Sequence, residues 1–218
     1  NIPRTSKVSL SSTNFNIGTS ITINTNRASS SFTHTAVIKF NGSTVRTQKS
    51  IGASYKWDTS ELYDYIPKAN KATGTVTLTT YSGSTEIGSS SVSFTANVTN
   101  SNPTFSNCTY EDVGSISTQL TGNNQVLING CNSLKTTIST ANKAVAKNGA
   151  TMSKYRLVCG SKSVEASYSS SADVSLTLDN VTSMTFIVYA IDSRGNSTAV
   201  TKSVETWKDY SDIKIKTD

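Results

Sequence analysis

Apolar and polar residues alternate along most of the chain in short runs. Val8 and Leu10, then Ile21 and Ile23, then Ala36, Ile38 and Phe40, fall at every second position. Side chains two apart on an extended chain share a face, so each run predicts a strand with one buried side. Val76, Leu78 and Thr80 continue the pattern, and Val92, Phe94, Ala96 and Val98 close it. Runs that restart every ~8–12 residues are the signature of a sandwich or barrel. Asn41-Gly42 lies between two of them, and both residues tolerate positive φ, which predicts a tight hairpin. One segment, "DTSELYDYIPK", breaks the period. Leu62 and Ile66 stand four apart, Thr59 or Ser60 can cap, and Pro67 stops the run. It predicts one or two helical turns, as a crossing between two sheets would need.

The stretch "NVTNSNPTF", residues 97–105, is polar, holds a proline and follows a finished strand. It predicts a domain boundary, dividing the chain into about 1–98 and 102–218. Alternation then resumes. Val126 and Ile128 precede an Asn-Gly turn and Leu134, and "SKYRLVCG", "ADVSLTLDNV" and "MTFIVYAID" are further strands. Ala141, Ala144, Val145 and Ala146 fit a short helix or an irregular strand equally well. Ile213 and Ile215 are in phase for a last strand or a lead into another module. In "FIVYAIDSRGNSTAVTKSV" the two flanks alternate about "DSRGNS". Gly195 and Asn196 suit positive φ, and Asp192 can accept from nearby amides, so this is a hairpin corner. A calcium loop needs carboxylates at alternate positions, and here Asp192 stands alone. An Asp192–Arg194 ion pair would be worth little if exposed. The predicted fold class is all-β, two tandem antiparallel β-sandwiches of immunoglobulin-like or fibronectin-like kind.

Composition agrees with that class. Ser and Thr make up about a third of the residues, and 16% are charged. No run of apolar residues reaches the ~18 needed to span a membrane. The opening "NIPRTSKVSL" has neither an initiator Met nor the apolar core of a signal peptide, so the chain reads as an internal or C-terminal piece of something longer. The net charge of +6 is uneven: residues 1–100 carry nine Lys/Arg against four Asp/Glu, and residues 101–218 carry eleven against ten. The cations are scattered singly rather than striped with aromatics, which argues against nucleic acid as a partner. Cys108, Cys131 and Cys159 are odd in number and lack a CxxC pair, which predicts buried, reduced thiols rather than a metal site or disulfide framework.

Catalytic constellations are sparse. His34, the single histidine, is in phase with Phe32, Ala36, Ile38 and Phe40, as a packed strand histidine would be. No G-x-S-x-G occurs, and one histidine cannot make H-E-x-x-H. Glu61 and Asp64 are expected to solvate one helical face, and Glu111 and Asp112, being consecutive, point opposite ways on a strand. No catalytic residue, cofactor or metal ligand is expected. Aromatic faces stack on sugar rings, and Tyr55, Trp57, Tyr63 and Tyr65 cluster within eleven residues. Tyr55 and Trp57 share a strand face and are expected in the core, which leaves Tyr63 and Tyr65 as the candidate glycan contacts.

Together "HTAVIKF", "YDYIP", "TLTTYSGSTEIGS", "LTGNNQVLING", "NGATMSKY" and "VYAIDSRGNSTAVTKSV" carry a resemblance. The chain resembles the immunoglobulin-like and fibronectin-like modules of siphophage tail and baseplate proteins, from phages and prophages of Gram-positive bacteria. Such modules often carry the Asp-Ser-Arg-Gly-Asn hairpin as a structural signature. The resemblance implies a non-enzymatic virion component that spaces or displays the host-adsorption apparatus. Its implied partners are other tail or baseplate proteins, further copies of itself in an oligomer, and host cell-wall polysaccharide held weakly. The alternative with the same fold and composition is an adhesin module on a Gram-positive cell surface, binding carbohydrate or protein.

Overall fold

Alternation does set the strands. The computed structural model describes residues 4–212. Residues 4–101 and 102–212 form two units, with Asn148–Ala150 grouped with the first. The predicted phase of Ile213 and Ile215 lies outside the described residues.

The first unit contains β1 (Ser9–Leu10), β2 (Asn14–Asn16), β3 (Ser20–Asn24), β4 (Phe32–Phe40), β5 (Ser43–Ile51), β6 (Ser54–Asp58), β7 (Lys71–Ser82) and β8 (Thr85–Asn97). They make a three-stranded sheet, β1-β3-β6, and a five-stranded sheet, β2-β8-β7-β4-β5. Ile21, Ile23 and Trp57 of the first sheet face Ala36, Ile38, Phe40, Val76, Leu78, Phe94 and Ala96 of the second in one buried core. The β4–β5 turn has φ of 49° at Asn41 and 83° at Gly42, the left-handed pair that an Asn-Gly hairpin needs. Phe94 is the hub: its ring stacks on Phe15 at 5.4 Å and Phe40 at 5.9 Å, and meets Trp57 edge-on at 5.6 Å. Gly74 lies in register between Phe40 and Phe94, with no side chain to obstruct that stack.

The helical turns are a 3-10 helix, Thr59–Tyr65, which carries the chain from β6 in one sheet to β7 in the other. Its cap is Asp58, not Thr59 or Ser60: the Asp58 carboxylate accepts from the Ser60 amide at 3.0 Å. That amide hydrogen bond, and then one from the Ser60 side chain, hold the Asp58 carboxyl below the usual range. Thr59 is turned inward instead, donating its hydroxyl to the Thr19 carbonyl and accepting from the Gly18 amide.

The second unit contains β9 (Thr109–Asp112), a short helix α1 (Ser115–Thr121), β10 (Val126–Ile128), β11 (Ser133–Ile138), β12 (Met152–Cys159), β13 (Lys162–Ser167), β14 (Val174–Asp179), β15 (Thr185–Asp192), β16 (Ser197–Ser203) and β17 (Thr206–Lys208). A three-stranded sheet, β14-β11-β9, and a four-stranded sheet, β13-β12-β15-β16, enclose a core built on Leu134, Ile138, Tyr155, Leu157, Leu176, Phe186 and Val188. The segment that suited either helix or strand is neither: one 3-10 turn, Thr140–Asn142, leads into irregular chain, and Val145 makes a single bridge to Thr104.

Both units depart from pure antiparallel pairing. β2 runs parallel to β8, and β10 runs parallel to β17. In each case the partners are far apart in sequence, so the long connection that parallel neighbours require is available.

The "DSRGN" stretch is a hairpin corner between β15 and β16, and a buried one. Asp192 and Arg194 are 2% and 7% exposed. Asp192 Oδ1 accepts from the amides of Arg194 and Asn196, both at 2.9 Å. Only Gly195 of the expected Gly-Asn pair has positive φ, because the Asp192 bonds already fix the turn around Asn196.

Candidate functional site

His34 is fully buried, and both ring nitrogens are engaged. Nδ1 donates to the Ile51 carbonyl at 2.9 Å, since a carbonyl only accepts, and Nε2 lies 2.7 Å from Ser6 Oγ. A serine hydroxyl on an imidazole nitrogen is the core of a nucleophilic dyad. Here Ser6 is 1% exposed and His34 is 0% exposed, and the third partner is a backbone carbonyl. The pair is enclosed, and its hydrogen bonds tie the segment at Ser6 to β4 and β5.

The carboxylates also serve the fold. Glu61 does not simply solvate a helical face as the sequence suggests. It accepts from Arg46 Nε and Nη2, both at 2.9 Å, and from the buried indole nitrogen of Trp57 at 2.8 Å. From the first turn of the helix it reaches Arg46 on β5 and Trp57 on β6, where the indole N–H would otherwise be orphaned. Asp64 is exposed. Glu111 and Asp112 do point opposite ways. Glu111 pairs with Lys135 at 3.1 Å near the surface. Asp112 is buried, accepting from the amides of Gly114 at 2.8 Å and Ser133 at 2.9 Å and from the Ser117 hydroxyl. It thereby ties the start of α1 to β11. Among the described residues no group of three or more His, Cys, Asp or Glu is placed to hold a metal ion.

Trp57 is fully buried and Tyr55 packs half-buried against the same core. Tyr63 and Tyr65, the sequence-derived glycan contacts, are half-buried on that core as well. The Tyr63 hydroxyl donates to the Ile17 carbonyl at 2.9 Å. A 3-10 helix has about three residues per turn, which puts Tyr65 on the face of Thr59 and Leu62, the buried side.

All three cysteines are free thiols, but Cys131 is half-exposed rather than buried. Burial pushes the Cys108 and Cys159 thiols up from their ordinary range, which starves them of the reactive thiolate. A thiol reagent added to native protein will therefore modify Cys131 alone, and guanidinium will release the other two. Peptide mapping after iodoacetamide checks this, and native labelling of Cys108 or Cys159 would contradict it.

A surface concavity lies on the first unit, a cleft of about 690 Å³ crossing β8, β7 and β4 near the Asn41-Gly42 turn. Thr73, Thr75, Ser93 and Thr95 line it from strand positions opposite in phase to the core residues Val76 and Phe94, with Lys39 beside them. No pattern of catalytic or aromatic residues marks it in the sequence. Its only local trace is the polar half of two alternating strands.

Comparison with known proteins follows the fold. The chain is similar to a two-domain fibronectin type III segment of chicken tenascin, at 10% identity and TM-score 0.42, covering 92% of this chain and 99% of that one. It is similar to the fibronectin(III)-like modules of Clostridium thermocellum CbhA, at 11% identity and TM-score 0.34, covering 97% and 99%. It is also similar to the amphioxus IgVJ-C2 molecule, at 10% identity and TM-score 0.38, covering 88% and 98%. No curated protein matches it in sequence. A family model described as "Siphovirus protein of unknown function (DUF859)" matches residues 1–217. The chain belongs to that siphovirus protein family.

Proposed function

We propose that the chain is a non-catalytic structural part of the siphovirus virion, within the tail or baseplate, where it spaces or displays the host-adsorption apparatus. The observation that carries this reading is a siphovirus family match over essentially the whole chain, residues 1–217. The chemistry of the interior supports it. The buried His34 and Asp112 and the half-buried Glu61 spend their hydrogen bonds on neighbouring strands and turns. A β-sandwich is a stiff block whose loops accept variation, which suits a spacer. Its partners are neighbouring tail or baseplate proteins and other copies of the chain. Repetition of the block around a tail would turn weak individual contacts with the host into avidity.

Immunogold electron microscopy of purified virions, with antibody raised against this chain, tests the proposal. Gold clustered on the tail or its tip is the expected result. Virions that carry no label, or label confined to the capsid, would sink it. The non-catalytic part has its own test, because a fall in turbidity of purified cell wall incubated with the protein would show hydrolysis.

A further inference from the structure

A strand with one face in water carries polar residues on that face. β7 and β8 obey, with Thr75, Thr77, Ser91 and Ser93 outward. β15 does not. Phe186, Val188 and Ala190 enter the core, yet the outward residues Ile187, Tyr189 and Ile191 are apolar as well, and each is partly exposed. Val158 of β12, in register with Ile187, extends the row. A cation lies in its middle. The Arg156 guanidinium rests over the Tyr189 ring, 5.3 Å from the centre, and its Nε is buried without a hydrogen-bond partner. Glu165, its neighbour across β13, is taken by Lys154 at 2.7 Å. Among the described residues Arg156 forms no ion pair.

α1 breaks the matching rule for helices. Ile116 and Leu120 stand four apart on one side of it and are 58% and 44% exposed, and Val113 just before it is exposed too. Beside them a groove of about 340 Å³ is lined by Val113, Ile116 and the exposed carboxylate of Asp179 at the end of β14. Asp179 accepts from the Ser133 hydroxyl, and among the described residues it forms no ion pair. Within one copy α1 packs on β10 and its apolar side stays open, so the helix and the β12–β15 face do not cover each other.

The two surfaces complement each other. An apolar helix side on an apolar sheet face is an ordinary two-layer contact. The sheet face carries an arginine with no counter-charge, and the helix groove carries a carboxylate with none. From this match of apolar shape and opposite charge we infer that copies of the chain associate head to tail, with α1 of one copy on the β12–β15 face of the next and Asp179 reaching Arg156. A second copy is the occupant because the same unit presents both halves of the contact. The two halves are different surfaces, so each copy keeps one of each free, and the contact builds a row or ring rather than a closed pair. Few residues take part, and contacts that bury less than ~1,200 Å² are weak, so association rises with concentration. The inference deepens the reading that other copies are among the partners of this chain and rests on that part alone. Purified chain in solution tests it, whereas gold on the virion tests location, so either can fail without the other.

Sedimentation of the full chain over a range of concentrations reads the association. The average mass should climb with concentration and pass that of two copies. Arg156→Glu and Asp179→Arg should each weaken association about tenfold or more, because each sets like charge against like. The two variants mixed in equal amounts should recover the parent affinity to within about threefold, since the reversed charges then face each other. Leu120→Ser, at an exposed position the fold tolerates, should weaken association about threefold or more. Lys56→Glu, on β6 of the first unit, should change nothing, and thermal melts would confirm that each variant is folded. A chain that stays single up to about 1 mM overturns the inference. So does a species that stops at two copies, a mixture that fails to recover, or a Leu120→Ser protein that associates like the parent. An equal loss in Lys56→Glu does so too, because it would mean an effect of net charge alone.

Discussion

Gly74→Val will lower the melting temperature of the first unit by roughly 10–20 °C. A Cβ at this position would stand 2.4 Å from the Lys39 carbonyl oxygen and 2.4 Å from Phe94 Cζ. Neither neighbour can yield cheaply. The carbonyl belongs to β4, which is in register with β7 along nine residue pairs. The Phe94 ring is held between Phe15 and Phe40. Overpacking a tight core costs about 1–3 kcal/mol, and a rigid site such as this belongs at the upper end. For a unit of about 100 residues each kcal/mol moves the midpoint by about 4–8 °C. Differential scanning calorimetry reads the shift directly. Phe94→Leu, introduced together with Gly74→Ala, should recover part of what the alanine loses, because the two positions contest one space. A Gly74→Val protein that melts like the parent would show that the sheet relaxes freely here.

Asp112→Ala is the corresponding break in the second unit. The carboxylate is 2% exposed and serves the Gly114 amide, the Ser133 amide and the Ser117 hydroxyl. Removing it strands two backbone donors where water has little access, at about 1–3 kcal/mol for each buried group left unpaired. The expected loss is roughly 3 kcal/mol in the second unit, with the start of α1 released from β11. Asp112→Asn should cost less than half as much, because one carboxamide oxygen can still accept from both amides. Hydrogen exchange separates local from global effects. Gly114 and Ser133 should lose protection first in the alanine variant, and unchanged protection at both would refute the account.

Much of the fold can be read from the sequence because the core is written in period two. β3, β4, β7 and β8 place most of their apolar residues at alternate positions, and those face the core. The Asn41-Gly42 turn is equally local. What escapes lacks a local signal. β9 turns a carboxylate, Asp112, to the interior, and β13 offers only Val164 and Ala166 as apolar markers. α1 points Ile116 and Leu120 outward, 58% and 44% exposed, against the usual helical pattern. The role of Glu61 depends on Trp57 and Arg46 reaching it from two other strands. The cleft is hidden for the same reason: each hydroxyl is visible as an outward position, but the register that assembles Thr73, Thr75, Ser93 and Thr95 is set by pairing across the sheet.

The parallel pair of the first unit carries a mechanical consequence. In the first unit, β2 lies near the start of the path and β8 ends it, side by side and in the same direction, through Asn14–Thr95, Phe15–Ala96 and Asn16–Asn97. Backbone bonds from Thr95 to Thr13 and from Ile17 to Asn97, both 2.8 Å, lock the two ends of this seam. Tension on the ends of the unit drags these strands in opposite senses along their own axes. The hydrogen bonds cross the direction of pull, so they share the load and fail together instead of opening one at a time. β10 and β17 are parallel too, but β10 lies inside the path of the second unit, after β9 and α1, so this pair does not join that unit's two ends. The first block is thus fastened in shear, the loading geometry that resists extension best.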